Sequence, residues 1–174
     1  HLLGPLLADG VLEIPGAVAR IEASHHRTDL PEDRAFLGNG DVTHHLQDVA
    51  TADGDTRTLS FHHTHSDEDL TVTFKRDGRY DEEALKKLNH FLRDWRSQDQ
   101  TTMDRHLFDI LWEVYRDVDG KKPIQIISAY RSPATNSMLR RRSSGVARFS
   151  QHMRGQAMDF YIPDVSLEQV RHAG

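Results

Sequence analysis

Across residues 57–118 the hydrophobic period changes from two to about three and a half, which sharply limits the folds open to this chain. Arg57 to His63 and Asp69 to Lys75 are rich in β-branched and aromatic residues, with a polar turn around Ser66-Asp67-Glu68 between them. That pattern predicts a β-hairpin. Asp77-Gly78 marks a further turn. From Asp81 onward Leu85, Leu88, Leu92 and Trp95 return at helical spacing. Asp81 suits the N-cap, and Glu82 and Glu83 sit in the first turn, where the helix dipole favours acids. A second helix is predicted from Asp104, with Leu107, Ile110, Leu111, Val114 and Val118 on one face and Gly120 as its stop. Both apolar stripes are expected to be core.

Pro123 to Ser128 reads as a buried strand. Ser132 caps a third helix with Pro133 at its first position, where the missing N–H costs nothing. Arg140-Arg141-Arg142 suit the negative end of that helix as a solvated face, and Ser143-Ser144-Gly145 ends it. Gln156 to Ile162 reads as a strand, and Ser166 with Gln169 forms a capping box for a last helix. The order is hairpin, two helices, strand, helix, strand, helix. The expected class is α+β, a small antiparallel sheet with helices packed on one side. Residues 1–56 break any period with glycines, prolines and histidine pairs. They are expected to form an N-terminal extension, irregular or partly ordered, before a domain over residues 57–174.

Composition narrows the function classes. A chain of 174 residues suits one domain with a sizeable core. A net charge of −5 argues against nucleic acid as a partner. No run approaches the roughly 18 apolar residues of a membrane span. There is no cysteine, which excludes disulfides and thiolate metal sites. Histidine is abundant at 12 residues, several in pairs: His25-His26, His44-His45 and His62-His63, with His65 nearby. Strand neighbours point to opposite faces, so His62 and His63 are poorly placed to share an ion, whereas His63 and His65 share a face. These histidines are expected in polar loops or hairpins.

Ser150-Gln151-His152-Met153-Arg154-Gly155-Gln156-Ala157-Met158-Asp159-Phe160 carries the candidate chemistry. A turn at Gly155 followed by a strand brings Asp159 back beside His152. One imidazole and one carboxylate are two of the three protein ligands of a catalytic zinc, whose fourth position holds water. The residual positive charge makes hydroxide available near neutral pH. Such a pair is common by chance, with His152 at the surface and Asp159 in a local cap or ion pair. Ser128-Ala129-Tyr130-Arg131-Ser132-Pro133 supplies a second element, with Arg131 just past a strand end.

The run S-Q-H-M-R-G-Q-A-M-D-F resembles the S-x-H-x-x-G-x-A-x-D signature of the M15 metallopeptidases, in the wider group of D-Ala-D-Ala peptidases and hedgehog domains. The segments at 57–61, 70–74, 77–80, 84–89 and 130–136 are similar to the DUF882, or YcbK-like (MepK-like), branch. The resemblance covers Arg57 to Gly174 and implies a periplasmic, zinc-dependent murein peptidase acting on peptidoglycan peptides. It implies His152 and Asp159 as zinc ligands and Arg131 facing the substrate, where it holds a carboxylate or the oxyanion. Ser150 is the expected outer partner that orients His152. The family's third ligand follows a glycine-rich stretch absent here, so it is expected beyond Gly174, in a domain incomplete at its C-terminus. His172, on a predicted helix, is the weaker substitute. A non-catalytic cell-wall or protein-binding module with a degenerate metal site is one alternative. A D-Ala-D-Ala carboxypeptidase is another.

Overall fold

The structure, a computed structural model, describes residues 18–23 and 56–173. Among these residues are six strands: β1 (Ala19–Glu22), β2 (Arg57–His63), β3 (Glu68–Arg76), β4 (Arg79–Tyr80), β5 (Ile124–Ser128) and β6 (Ala157–Tyr161). Four helices accompany them: α1 (Glu82–Phe91), α2 (His106–Asp117), α3 (Pro133–Arg142) and α4 (Leu167–His172). The strands form one sheet in the order β1-β6-β5-β2-β3-β4. The class is α+β, in agreement with the element order.

The sheet is mixed rather than wholly antiparallel. The hairpin β2–β3, the pairs β3–β4 and β5–β6, and the pair β1–β6 are antiparallel, but β2 and β5 run parallel. The chain leaves the hairpin, passes through α1 and α2 and returns beside β2. A crossover through helices is what parallel neighbours require. Local signals do not specify that pairing.

The two faces of the sheet differ. Leu59 and Phe61 of β2, Val72 and Phe74 of β3, Ile124 and Ile126 of β5, and Met158 and Phe160 of β6 join one apolar cluster with α1 and α2. Each such side chain, fully buried, contributes about 1.5–3 kcal/mol. On the hairpin's other face Thr58 bonds Thr73 at 2.8 Å, Ser60 bonds Thr71 at 2.9 Å, and His62 Nδ1 lies 2.9 Å from Asp69. Strand residues alternate between faces, so Met158 and Phe160 aim at the core and Asp159 aims away from it. Ile127 and Leu139 are buried outside the main cluster, toward this second face.

The caps form largely where the sequence puts them. Asp81 accepts from the backbone N–H groups of Glu83 and Ala84. Ser132 accepts from Thr135 ahead of Pro133, and Ser166 and Gln169 make a full capping box. Two boundaries shift. The first helix ends at Phe91, so Trp95 is not part of its core stripe but stands half-buried in the following turn. The second starts at His106, with Asp104 Oδ1 accepting from its N–H at 3.0 Å.

Residues 19–22, within the N-terminal extension expected to be irregular or partly ordered, form edge strand β1 and place Arg20 opposite Asp159. The pairs His25-His26 and His44-His45 lie outside the described residues.

His63 departs from the polar-loop expectation, being 1% exposed and set edge-on against Phe91 with ring centroids 5.8 Å apart. Its Nδ1 accepts from the N–H groups of His65 and Ser66, both at 3.3 Å. Burial, helped by His65 and Arg93, pushes its pKa down to about 4, against a smaller opposing pull from Glu68. The folded state therefore resists a proton that the unfolded chain takes up near pH 6.5. The neutral ring's contribution is full above pH 6.5 and is lost as pH falls toward 4. Between pH 7.5 and 4.5 the native protein is expected to lose roughly 2–3 kcal/mol more stability than His63→Gln in urea titrations. Equal losses in the two proteins would contradict this.

Candidate metal centre

His152 lies on a single 3-10 turn, Gln151–Arg154, between α3 and β6. Ser150 caps this turn, its Oγ accepting the backbone N–H of His152 at 3.3 Å. The serine thus holds the backbone of His152 and not its ring. Gly155 ends the turn with φ 67°, in the left-handed region that glycine enters without strain. The chain then reverses into β6, and Asp159 reaches back to His152.

The ring is held from below by the backbone. Nδ1 lies 2.7 Å from the carbonyl oxygen of Ala129. A carbonyl only accepts, so Nδ1 carries the proton, and in the neutral ring Nε2 presents a lone pair. Nε2 stands 3.3 Å from Asp159 Oδ2. It is buried and makes no hydrogen bond among the described residues. Without a proton on Nε2, two acceptors would face one another in a site where His152 is 2% and Asp159 9% exposed. Buried polar atoms are rarely left so. A proton on Nε2 or a metal cation between them satisfies both, and imidazole with carboxylate is a donor set that suits zinc.

A cation already lies against Asp159. Arg20 Nε donates to Oδ1 at 2.6 Å and Nη2 to Oδ2 at 3.3 Å. Burial alone would push the Asp159 carboxyl up, but the adjoining His152 ring and Arg20 guanidinium outweigh it and hold the pKa at about 2. Asp159 is therefore a carboxylate at any physiological pH.

Arg131 enters the same cleft, which has a volume of about 140 Å³. Its backbone N–H donates to the His152 carbonyl at 3.1 Å, tying the two loops together. His152, Asp159, Arg131 and Ser150 all line this cleft. His172 does not join them: among the described residues no third His, Cys, Asp or Glu completes a metal-holding group. It belongs to α4, which packs on β1.

Three cleft residues were not legible as site residues: Arg20, Trp95 and Arg96. Arg20 stood in a segment with no motif. Trp95 matched a helical stripe that the helix does not extend to reach. Nothing local marked Arg96.

The turn at Gly155 is closely packed as well as left-handed. A Cβ there would lie 2.8 Å from the Thr102 carbonyl oxygen and 2.9 Å from Thr101 Cγ2. The Gly155 carbonyl also accepts from Asp104 N–H at 2.9 Å. Gly155→Ala is expected to lower stability by at least about 1–2 kcal/mol, from the backbone alone. An unchanged urea midpoint would show that the turn is not constrained in this way.

The family described as peptidoglycan L,D-endopeptidase MepK matches residues 51–174. The chain is 45% identical over 118 residues to the peptidoglycan L,D-endopeptidase MepK of Escherichia coli strain K12, covering 67% of this chain and 64% of that protein. It is 35% identical over 116 residues to the probable peptidoglycan L,D-endopeptidase MepK of Haemophilus influenzae, covering 66% of this chain and 62% of that protein. The chain thus spans less than two thirds of the length of these curated relatives. No solved structure matches it. With most of its length matched, the chain belongs to the MepK family of M15 peptidases.

Proposed function

We propose that this chain carries the catalytic face of a zinc-dependent peptidoglycan peptidase that cuts an amide bond in stem peptides or cross-links. The observation that carries the reading is the buried Nε2 of His152 turned toward the Asp159 carboxylate at 3.3 Å, with Nδ1 held by the Ala129 carbonyl. The names of the relatives supply the substrate class. In this reading His152 and Asp159 are two of the metal's ligands, and the third lies outside the described residues. Bound there, zinc supplies Lewis-acid chemistry that polarises the scissile carbonyl and activates water.

The protein's own groups have separate tasks. The Ala129 carbonyl holds Nδ1 of His152 as a donor, which leaves Nε2 for the ion. Arg131 brings a fixed positive charge beside the pair, suited to an oxyanion or a peptide carboxylate. Ser150 keeps the 3-10 turn in register. No helix among the described residues is long and apolar enough to cross a membrane. A peptidoglycan substrate implies a periplasmic location.

One observation favours a second reading. Arg20 neutralises Asp159 through both carboxylate oxygens, as it would in a binding module that has given up its metal. Hydrolysis separates the two. In the full-length protein, His152→Ala and Asp159→Asn should each lower cleavage of cross-linked muropeptides by about 10³-fold or more, with loss of bound zinc. Arg131→Ala should lower turnover more than zinc content. Full activity in either ligand variant would sink the peptidase assignment. Muropeptide binding without zinc or cleavage would favour the module.

A further inference from the structure

The cleft holds an arginine for which the metal centre has no use. We propose that Arg96 is a substrate-binding residue whose guanidinium, in the cleft that Arg131 also lines, anchors a free carboxylate of an acidic peptide next to the candidate metal centre. This rests on the peptidase reading above and deepens it: the peptide recognised carries a carboxylate close to the amide that is cut.

Charge in the cleft is the first argument. Arg20, Arg96 and Arg131 line it against a single carboxylate, Asp159. Asp159 is engaged by Arg20 and His152. The Arg96 guanidinium, half-buried, makes no hydrogen bond or ion pair among the described residues; its contact is a stack on Trp95, 4.0 Å from the ring centroid. A guanidinium has five donors, so one held in a cleft with those donors unspent suits an incoming anion.

Placement is the second argument. Asp94, 1% exposed, accepts from the Arg96 N–H at 3.0 Å through Oδ1 and from the Ser132 N–H at 2.9 Å through Oδ2. One buried carboxylate therefore sews the Trp95-Arg96 turn to the Arg131-Ser132 turn. Its charge partly offsets Arg96, but its oxygens are taken up by backbone and hydroxyl donors, which hold its pKa down against burial. Arg131 and Arg142 act on Arg96 as like charges. Such repulsion is relieved when an anion arrives, so part of the binding free energy comes from removing it.

The third argument is the floor on which Arg96 rests. His65 stacks on Trp95 with centroids 4.3 Å apart and an 18° interplanar angle. Burial first, then the charge of Arg96, lowers the His65 pKa, so the ring is neutral at pH 7 and adds no charge. An aromatic floor beneath a guanidinium orients its fork and shields it from water.

The test is calorimetric titration of the full-length protein with a peptidoglycan stem tripeptide bearing free carboxylates, and with the same peptide amidated at its carboxyls. Muropeptide hydrolysis is measured alongside. Arg96→Gln is expected to weaken binding of the acidic peptide roughly 10- to 100-fold, the range of a lost charged hydrogen bond. Arg96→Lys should fall in between, because it keeps the charge but loses the fork. The amidated peptide should bind the native protein about as weakly as the acidic one binds Arg96→Gln. In hydrolysis Arg96→Gln should raise KM more than it lowers kcat. Equal affinity of the native and Arg96→Gln proteins for the acidic peptide overturns the anchor, as does a native protein that binds neither peptide. Cleavage with an unchanged KM removes the anchor and leaves the peptidase reading standing. Arg96-dependent binding without any cleavage does the reverse.

Discussion

The interaction on which the site depends is the bond from His152 Nδ1 to the Ala129 carbonyl. It holds Nδ1 as a donor and turns Nε2 toward the carboxylate of Asp159. Burial then makes this arrangement costly, since a lone pair facing a carboxylate in a dry site is repulsive and unsatisfied. A proton on Nε2 relieves it in the metal-free protein, and a bound cation would take that proton's place. Arg20, laid across Asp159, provides part of the same compensation from within the chain.

The sheet makes this possible by keeping its two faces distinct. Met158 and Phe160 belong to the apolar cluster shared with α1 and α2. Asp159, one residue from each, points to the opposite face. The register between β5 and β6 is irregular between Ile126 and Ser128, which sets Ser128 opposite Asp159. Just beyond, Ala129 and Arg131 lie against the His152 turn through their backbone groups. The core thus supports the site from behind and meets it at Ala129, whose carbonyl holds the His152 ring. Variants of His152 or Asp159 can therefore remove function while the main apolar cluster remains.

What was legible in the sequence was local. Hairpin alternation at 57–75, the caps at Asp81, Ser132 and Ser166, and the Gly155 turn each depend on a few adjacent residues. The nearness of His152 and Asp159 followed from that turn and the strand after it. What escaped depends on contacts distant in sequence. The parallel β2–β5 pair needs the crossover, and β1 needs β6 as its template. His63 looked polar among its histidine neighbours, yet Phe91 of α1 covers it. Trp95 followed the helical period, but the chain turns there because Asp94 spends its carboxylate on Arg96 and Ser132. Cleft residues from three separate segments, Arg20, Arg96 and Arg131, meet only in the folded chain.

The central claim is that His152 turns Nε2, and not Nδ1, toward a cation site, and ¹⁵N-resolved NMR of its imidazole tests it directly. In the metal-free protein Nδ1 is predicted to carry a proton held by the Ala129 carbonyl. Adding zinc should move the Nε2 resonance and leave Nδ1 protonated. The account would be contradicted by an Nδ1 that carries no proton, or by an Nε2 whose resonance zinc does not affect.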